Sequence, residues 1–243
     1  MKDYLNDIVQ HTHSLGFIDL IKVTGNDEGT SIEGLAEDRS VIVQAKFKTA
    51  YPEFIGTFGM PNLSKLSILL GIPEYKEDAK ISISKQDRNG QNVPVGLFFE
   101  NVKGDFKNDY RFMTSEVIND KLKTVKFKGV NWNVEINPSI ASVQRLKMQQ
   151  QVHSEETTFI AKTEDGNLKF YFGDHSTHAG NFVFHPDIKG TLKHGWQWPI
   201  QQVLSILSLP GDITMRFSDE GASMITVDSG LIVYDYILPA QSK

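Results

Sequence analysis

Apolar positions in this chain switch between a helical and a strand period, and the same succession runs through the sequence twice. In residues 3–14, Leu5, Ile8 and Val9 fall on one helical stripe that ends before Gly16. Segments 17–23, 30–35 and 41–47 read as strands, with a turn at Gly25-Asn-Asp-Glu-Gly29. Residues 51–58 lead into a short helix with Pro61 at its first position. Residues 79–84 then alternate, Asn89-Gly90 marks a turn, and 93–100 and 106–113 continue a sheet.

The second half repeats that order. Residues 124–136 read as extended, Asn137 as an N-cap and Pro138 as the first residue of a helix running to about His153, with Ile140, Val143 and Leu146 apolar. Strands are expected at 157–162, 168–172, 181–184 and 191–197, followed by a second Pro-led helix and strands at 212–218 and 231–238. The two Pro-led helices align without a gap. Phe58-Gly-Met-Pro61-Asn-Leu-Ser-Lys-Leu66-Ser-Ile-Leu69 and Trp196-Gln-Trp-Pro199-Ile-Gln-Gln-Val-Leu204-Ser-Ile-Leu207 share an aromatic, a Pro three residues on, and Leu-Ser-Ile-Leu. Two such helices in one register point to a duplicated domain. The expected fold class is α+β: two tandem similar domains, each with two helices packed on antiparallel sheets. Their expected bounds are 1–113 and 124–243, joined by a connector at 114–123.

A chain of 243 residues with 40% apolar content supports two ordinary cores. It has no Cys, which excludes a disulfide framework, a thiolate zinc site and a Cys nucleophile, and fits a reducing compartment. Met1-Lys-Asp-Tyr-Leu-Asn-Asp does not resemble a signal peptide, and no apolar run reaches membrane-spanning length. Thirty Asp and Glu stand against 25 Lys and Arg, a balance that argues against a nucleic-acid partner unless the charges are segregated. They are. Windows 54–73, 136–154 and 188–211 contain no Asp or Glu, where uniform usage would place roughly eight. The same windows hold Lys65, Arg145, Lys147, Lys189 and Lys193, and the amides Gln149, Gln150 and Gln151. Short buried helices exclude every charge, which accounts for 54–73. Residues 136–154 differ, because their outer face reads as polar and uniformly neutral or cationic, as a phosphate backbone favours. Asp3 and Asp7 make the first helix an exception.

The duplicated helix–strands–helix–strands order resembles the DNA sliding clamps of replication, in particular the two-domain subunits of proliferating-cell nuclear antigen and of large tailed-phage clamps. Phe170-Tyr-Phe-Gly-Asp174, a short loop and Gly180-Asn-Phe-Val-Phe-His185 resemble paired strands of the second clamp domain. Leu231-Ile-Val-Tyr-Asp-Tyr-Ile-Leu-Pro239-Ala240 resembles the last strand and apolar tail. The resemblance implies a non-enzymatic, cofactor-free homotrimeric ring around double-stranded DNA, with helices inside and sheets outside. It implies Lys65, Arg145 and Lys147 as lining residues, followed by Lys2 and Lys193. Strand edges at 106–113 and 181–185 would close the ring, with Phe106, Tyr110, Phe112, Asn181 and Val183 at the interface, although each segment also reads as an ordinary interior strand. A pocket for partner peptides would draw on Leu35, Met113, Val117, Ile118, Leu238, Pro239 and Ala240. The implied partners are a replicative DNA polymerase and an ATP-dependent clamp loader, with no membrane. The implied location is the cytoplasm, that of the host cell for a phage protein.

Two other readings stay open on the residues. His175, His178 and His185 with Asp174 have the chemistry of metal ligands and would suit a His-dependent metal enzyme, but they sit in a hairpin loop without the helical His-Glu-x-x-His spacing, and a solvated loop suits them better. A structural phage protein built from duplicated β-rich domains is the other. No phosphate-binding glycine loop or nucleophile elbow is present. His11 and His13 read as solvated, as do the turn pairs Asp219-Glu220 and Glu155-Glu156. Lys121, Lys123, Lys126 and Lys128 read as a solvated strand face.

Overall fold

Helix α1 (Lys2–His11) buries Leu5, Ile8 and Val9, the stripe that its spacing predicts. After a single 3-10 turn, four strands follow: β1 (Leu20–Asn26), β2 (Gly29–Leu35), β3 (Ile42–Phe47) and β4 (Gly56–Pro61). Alternate residues of β1, β2 and β3 are buried, as in sheets with one covered face. Helix α2 (Leu63–Gly71), a 3-10 turn at Pro73–Tyr75, three strands β5 (Lys80–Arg88), β6 (Gln91–Glu100) and β7 (Lys107–Arg111), and a short helix α3 (Ser115–Lys121) complete the run. The second run comprises β8 (Val134–Ile136), α4 (Ile140–Val152), β9 (Thr158–Glu164), β10 (Asn167–Phe172), β11 (Gly180–His185) and β12 (Gln197–Pro199). It ends with α5 (Ile200–Leu207), β13 (Asp212–Phe217), β14 (Ala222–Asp228) and β15 (Ile232–Pro239).

This computed structural model describes residues 1–76, 78–88, 91–123, 127–174 and 178–241. Its chain divides into two units, Met1–Lys126 with Ser229–Tyr234, and Phe127–Asp228 with Asp235–Lys243. Each unit contains an antiparallel four-stranded arrangement with the same order. In the first it is β4-β1-β2-β3 and in the second β12-β9-β10-β11, so in both the fourth strand of the set lies beside the first. Each set is followed by a helix and then a second antiparallel group, β5-β6-β7 or β13 with β14. The duplication expected from two short helices is therefore a duplication of topology. Leu66 and Leu204 are both buried, as are Leu69 and Leu207, in matching positions of α2 and α5.

Several expected boundaries move, for local reasons. Pro61 ends β4 and Pro199 ends β12, so neither is the first helical residue. Helix α2 instead starts after Asn62, which takes a left-handed conformation, and Asp19 caps it, accepting from the Leu63 and Ser64 amides. Helix α4 is capped by Ser139, whose hydroxyl accepts from the Ser142 amide at 3.0 Å, so Pro138 lies before the helix. The strand expected at 17–23 begins at Leu20. Of the extended segment 124–136 only Val134–Ile136 forms a strand; residues 124–126 lie outside the described residues. Of 191–197 only Gln197 enters one. The connector contains α3, and β14 was not expected at all.

Candidate nucleic-acid and partner-binding surfaces

Helices α2, α4 and α5 carry no Asp or Glu at any position. Of the cations proposed to line a channel, Lys65 on α2 and Lys147 on α4 are exposed. Lys2 is spent elsewhere: its ammonium donates to the Tyr75 and Lys76 carbonyls at 2.5 and 2.6 Å, tying the start of α1 to the end of the turn after α2. Lys193 lies in a loop, not on a helix, and its amide donates to Asp219. Arg145 is exposed but engaged, its Nη1 donating to the Val183 carbonyl at 3.1 Å. The outer face of α4 is less polar than its composition suggests. Ile140, Met148 and Val152 are 81%, 61% and 71% exposed, because Leu146 alone on this helix is buried.

The acids of α1 separate into two kinds. Asp3 is exposed. Asp7 turns into the unit, where its Oδ2 accepts from Ser229 Oγ at 3.0 Å and from Tyr234 Oη at 2.9 Å. His11, one turn on, approaches Asp7 Oδ1 at 3.3 Å and stacks on Tyr234, with ring centres 4.7 Å apart. His11 is thus buried, not solvated as its spacing suggested. Asp219 and Glu220 are likewise structural. Asp219 accepts from the Lys193 and His194 amides, its carbonyl from Trp196 Nε1, and Glu220 from the Asn131 amide. These bonds hold 191–196 and 131–133 as loops, which is why no strand forms there.

Strands β7 and β11 are each outermost in their sheets. On β7, Lys107, Asp109 and Arg111 are exposed on one face. Lys107 Nζ lies 2.8 Å from Glu100 Oε1, and that hydrogen bond holds the Glu100 carboxyl below the usual carboxylate range. Tyr110 offers no side-chain surface. It is buried, its hydroxyl donates to the Pro61 carbonyl at 2.5 Å, and burial raises its phenol pKa above the ordinary value. Phe112 is half-buried against Phe58 (ring centres 4.4 Å apart), and Phe106 is 41% exposed beside Tyr75. On β11, Asn181 is exposed and Val183 half-buried.

Around the connector, Leu35 lines a shallow groove with Ile42, Val43, Gln44, Leu122 and Lys123. Ile118 is buried against Gly59 and so forms the seat of α3, while Val117 on the same helix is 44% exposed. Met113 joins Gly59 by two main-chain bonds and lines a different cleft, beside Val93, Pro94 and Phe112. In the second unit Leu238 is buried, Pro239 exposed and Ala240 half-buried, the Ala240 amide donating to the Gly221 carbonyl. The basic run divides: Lys121 ends α3, Lys123 approaches Asp120 at 3.5 Å, and Lys126 lies outside the described residues.

His175 also lies outside the described residues; His178 is exposed, and His185 Nδ1 pairs with the Pro186 carbonyl. Among the described residues no three His, Asp or Glu side chains are placed to share a metal ion. No helix among them is long and apolar enough to cross a membrane.

No protein-family model matches the sequence, and no curated protein matches it. Solved structures do. The chain is similar to the PCNA of A. fulgidus, solved with the C-terminal region of FEN-1 bound, with a TM-score of 0.71 at 8% identity, covering 100% of this chain and 97% of that one. The PCNA of Thermococcus kodakaraensis gives 0.68 at 11% identity, and a PCNA2–PCNA3 complex from Sulfolobus tokodaii gives 0.65 at 13%, each covering 98% of this chain and 97% of the other. At such identities the likeness establishes the fold: the chain is built on the sliding-clamp fold over its whole length.

Proposed function

We propose that this chain, starting from the fold of the PCNA clamps, is a DNA sliding clamp that tethers a replicative polymerase to duplex DNA. The observation that carries the proposal is the likeness to clamps across the full chain, helices and both sheet groups together. Three copies close into a ring, each contributing domains 1–113 and 124–243 and a connector at 114–123. The open flanks of β7 and β11 supply a head-to-tail contact that closes after three copies. Ile68 on α2 and Met148 and Val152 on α4, all exposed, add apolar area beside those edges.

The acid-free faces turn to the DNA. Lys65 and Lys147 meet phosphates without regard to sequence, and exposed amides such as Gln144 and Gln151 supply neutral hydrogen bonding. Contacts so few do not grip, and the ring slides. Retention is topological and needs no reaction, so the protein acts without catalysis or cofactor. Loading requires an ATP-dependent loader, and partners dock short peptides against the connector and the Leu35 groove. The setting is the cytoplasm in which the replisome works. Sedimentation equilibrium tests the assembly: a ring of 27.4-kDa chains gives about 82 kDa, and a monomer at all micromolar concentrations contradicts it.

A further inference from the structure

Arg145 reaches from α4 to the flank of β11, where its Nη1 meets the Val183 carbonyl and its guanidinium carbon lies 5.1 Å from the centre of the Phe182 ring. Strand β11 is outermost in its sheet. Its pairing with β10 runs without a bulge from Gly180 to Val183, through Tyr171↔Asn181, Phe170↔Phe182 and Lys169↔Val183. In an antiparallel strand the N–H and C=O of one residue point the same way, and the direction alternates along the chain. Asn181 and Val183 therefore direct their main-chain groups to the same side. A carbonyl oxygen can accept twice, but those on the unpaired side have no ladder donor and are the ones a side chain on α4 most readily meets, which places Asn181 and Val183 on the open side.

We infer that Arg145 guards the β11 edge: it occupies the main-chain acceptor that an incoming strand needs, and strand addition must first displace it. The bond it makes is charge-assisted, and a neutral N–H that replaces it is weaker. The guard thus lowers the affinity of the edge for any strand and keeps a lone chain from pairing indiscriminately. The incoming strand is β7 of a second copy, and here the inference rests on the ring reading. Displacement leaves the guanidinium, no longer tied to β11, on the same helix as Lys147. Closing the edge and adding a cation to the DNA-facing helix are then one event.

Sedimentation equilibrium of the wild type, Arg145→Met, and Arg145→Met combined with Asn181→Pro tests this. Met keeps an apolar stem over Phe182 but donates no hydrogen bond, and circular dichroism checks that each variant is folded. Proline is tolerated in an edge strand where its missing N–H faces outward. Arg145→Met is expected to associate about tenfold more tightly, equivalent to about 1.4 kcal/mol, and the added proline to abolish the gain. Association by Arg145→Met that equals or falls below wild type, or a gain that survives the proline, overturns the guard. A wild-type trimer with unchanged affinity in Arg145→Met leaves the ring standing without a guard. A wild type that stays monomeric while Arg145→Met associates leaves the guard standing and removes self-assembly of the lone chain.

Discussion

The seat of α3 on β4 can be tested at two residues that face each other. Ile118 is fully buried, and a Cβ added at Gly59 would stand 2.8 Å from its Cδ1, 2.9 Å from its Cγ1 and 3.0 Å from its Cβ. Gly59 cannot retreat easily, since its amide and carbonyl both bond Met113, at 3.0 and 2.8 Å. The tip of Ile118 can rotate away, but its Cβ moves only with the helix. Gly59→Ala should therefore cost about 1–3 kcal/mol, the usual range for overpacking. Ile118→Ala empties the seat and should cost about 2–5 kcal/mol. In the double variant the new methyl at 59 takes up part of the space vacated at 118. The cost of the double variant should then fall short of the sum of the two single costs by about 1 kcal/mol or more. Urea unfolding followed by far-UV circular dichroism measures all three variants. A neutral Gly59→Ala, or a strictly additive pair, would refute the packing of Ile118 on Gly59 as the anchor of the connector helix.

Other outcomes follow from single sites. Asp7→Ala strips the acceptor from Ser229 and Tyr234, two bonds to a carboxylate, and should cost about 3 kcal/mol in thermal unfolding; a loss under about 1 kcal/mol denies that α1 is pinned to 229–234. Tyr110→Phe should lose about 1 kcal/mol near neutral pH with the bond to Pro61. Because burial raises the Tyr110 phenol above 10.0, its neutral form stabilises the fold fully below pH 10.0 and that share is lost as pH rises beyond it. The gap between wild type and Tyr110→Phe should narrow above pH 10.0, and a constant gap contradicts this. Replacing Lys65 and Lys147 with Gln should flatten the plot of log affinity for DNA against log salt by about 0.9 for each phosphate no longer neutralised; an unchanged slope moves the DNA elsewhere.

What could be read in the sequence was what repeats locally. Leu66 and Leu204, in matching Pro-led helices, announced a duplication that the shared 4-1-2-3 strand order bears out. Helix spacing found α1 and α4, and alternation found most strands. The misses are long-range. Asp219 looks like any turn acid until the Lys193 and His194 amides arrive 26 and 25 residues away in sequence. Asp7 reads as a surface charge on a helix that ought to be basic, and only the return of the chain at Ser229 and Tyr234 shows why it is there. Lys2 and Arg145 were legible as cations but not as donors to particular carbonyls. Strand β14 did carry a signal, Ile225 and Val227 alternating between Gly221 and Gly230, as a strand between two turns should.

The most direct measurement loads the protein onto nicked circular DNA with a candidate ATP-dependent clamp loader, then cuts the circle once. A topological ring stays on the intact circle through a high-salt wash and runs off after the cut. Loss from the uncut circle in salt, or retention on the cut molecule, contradicts a sliding clamp.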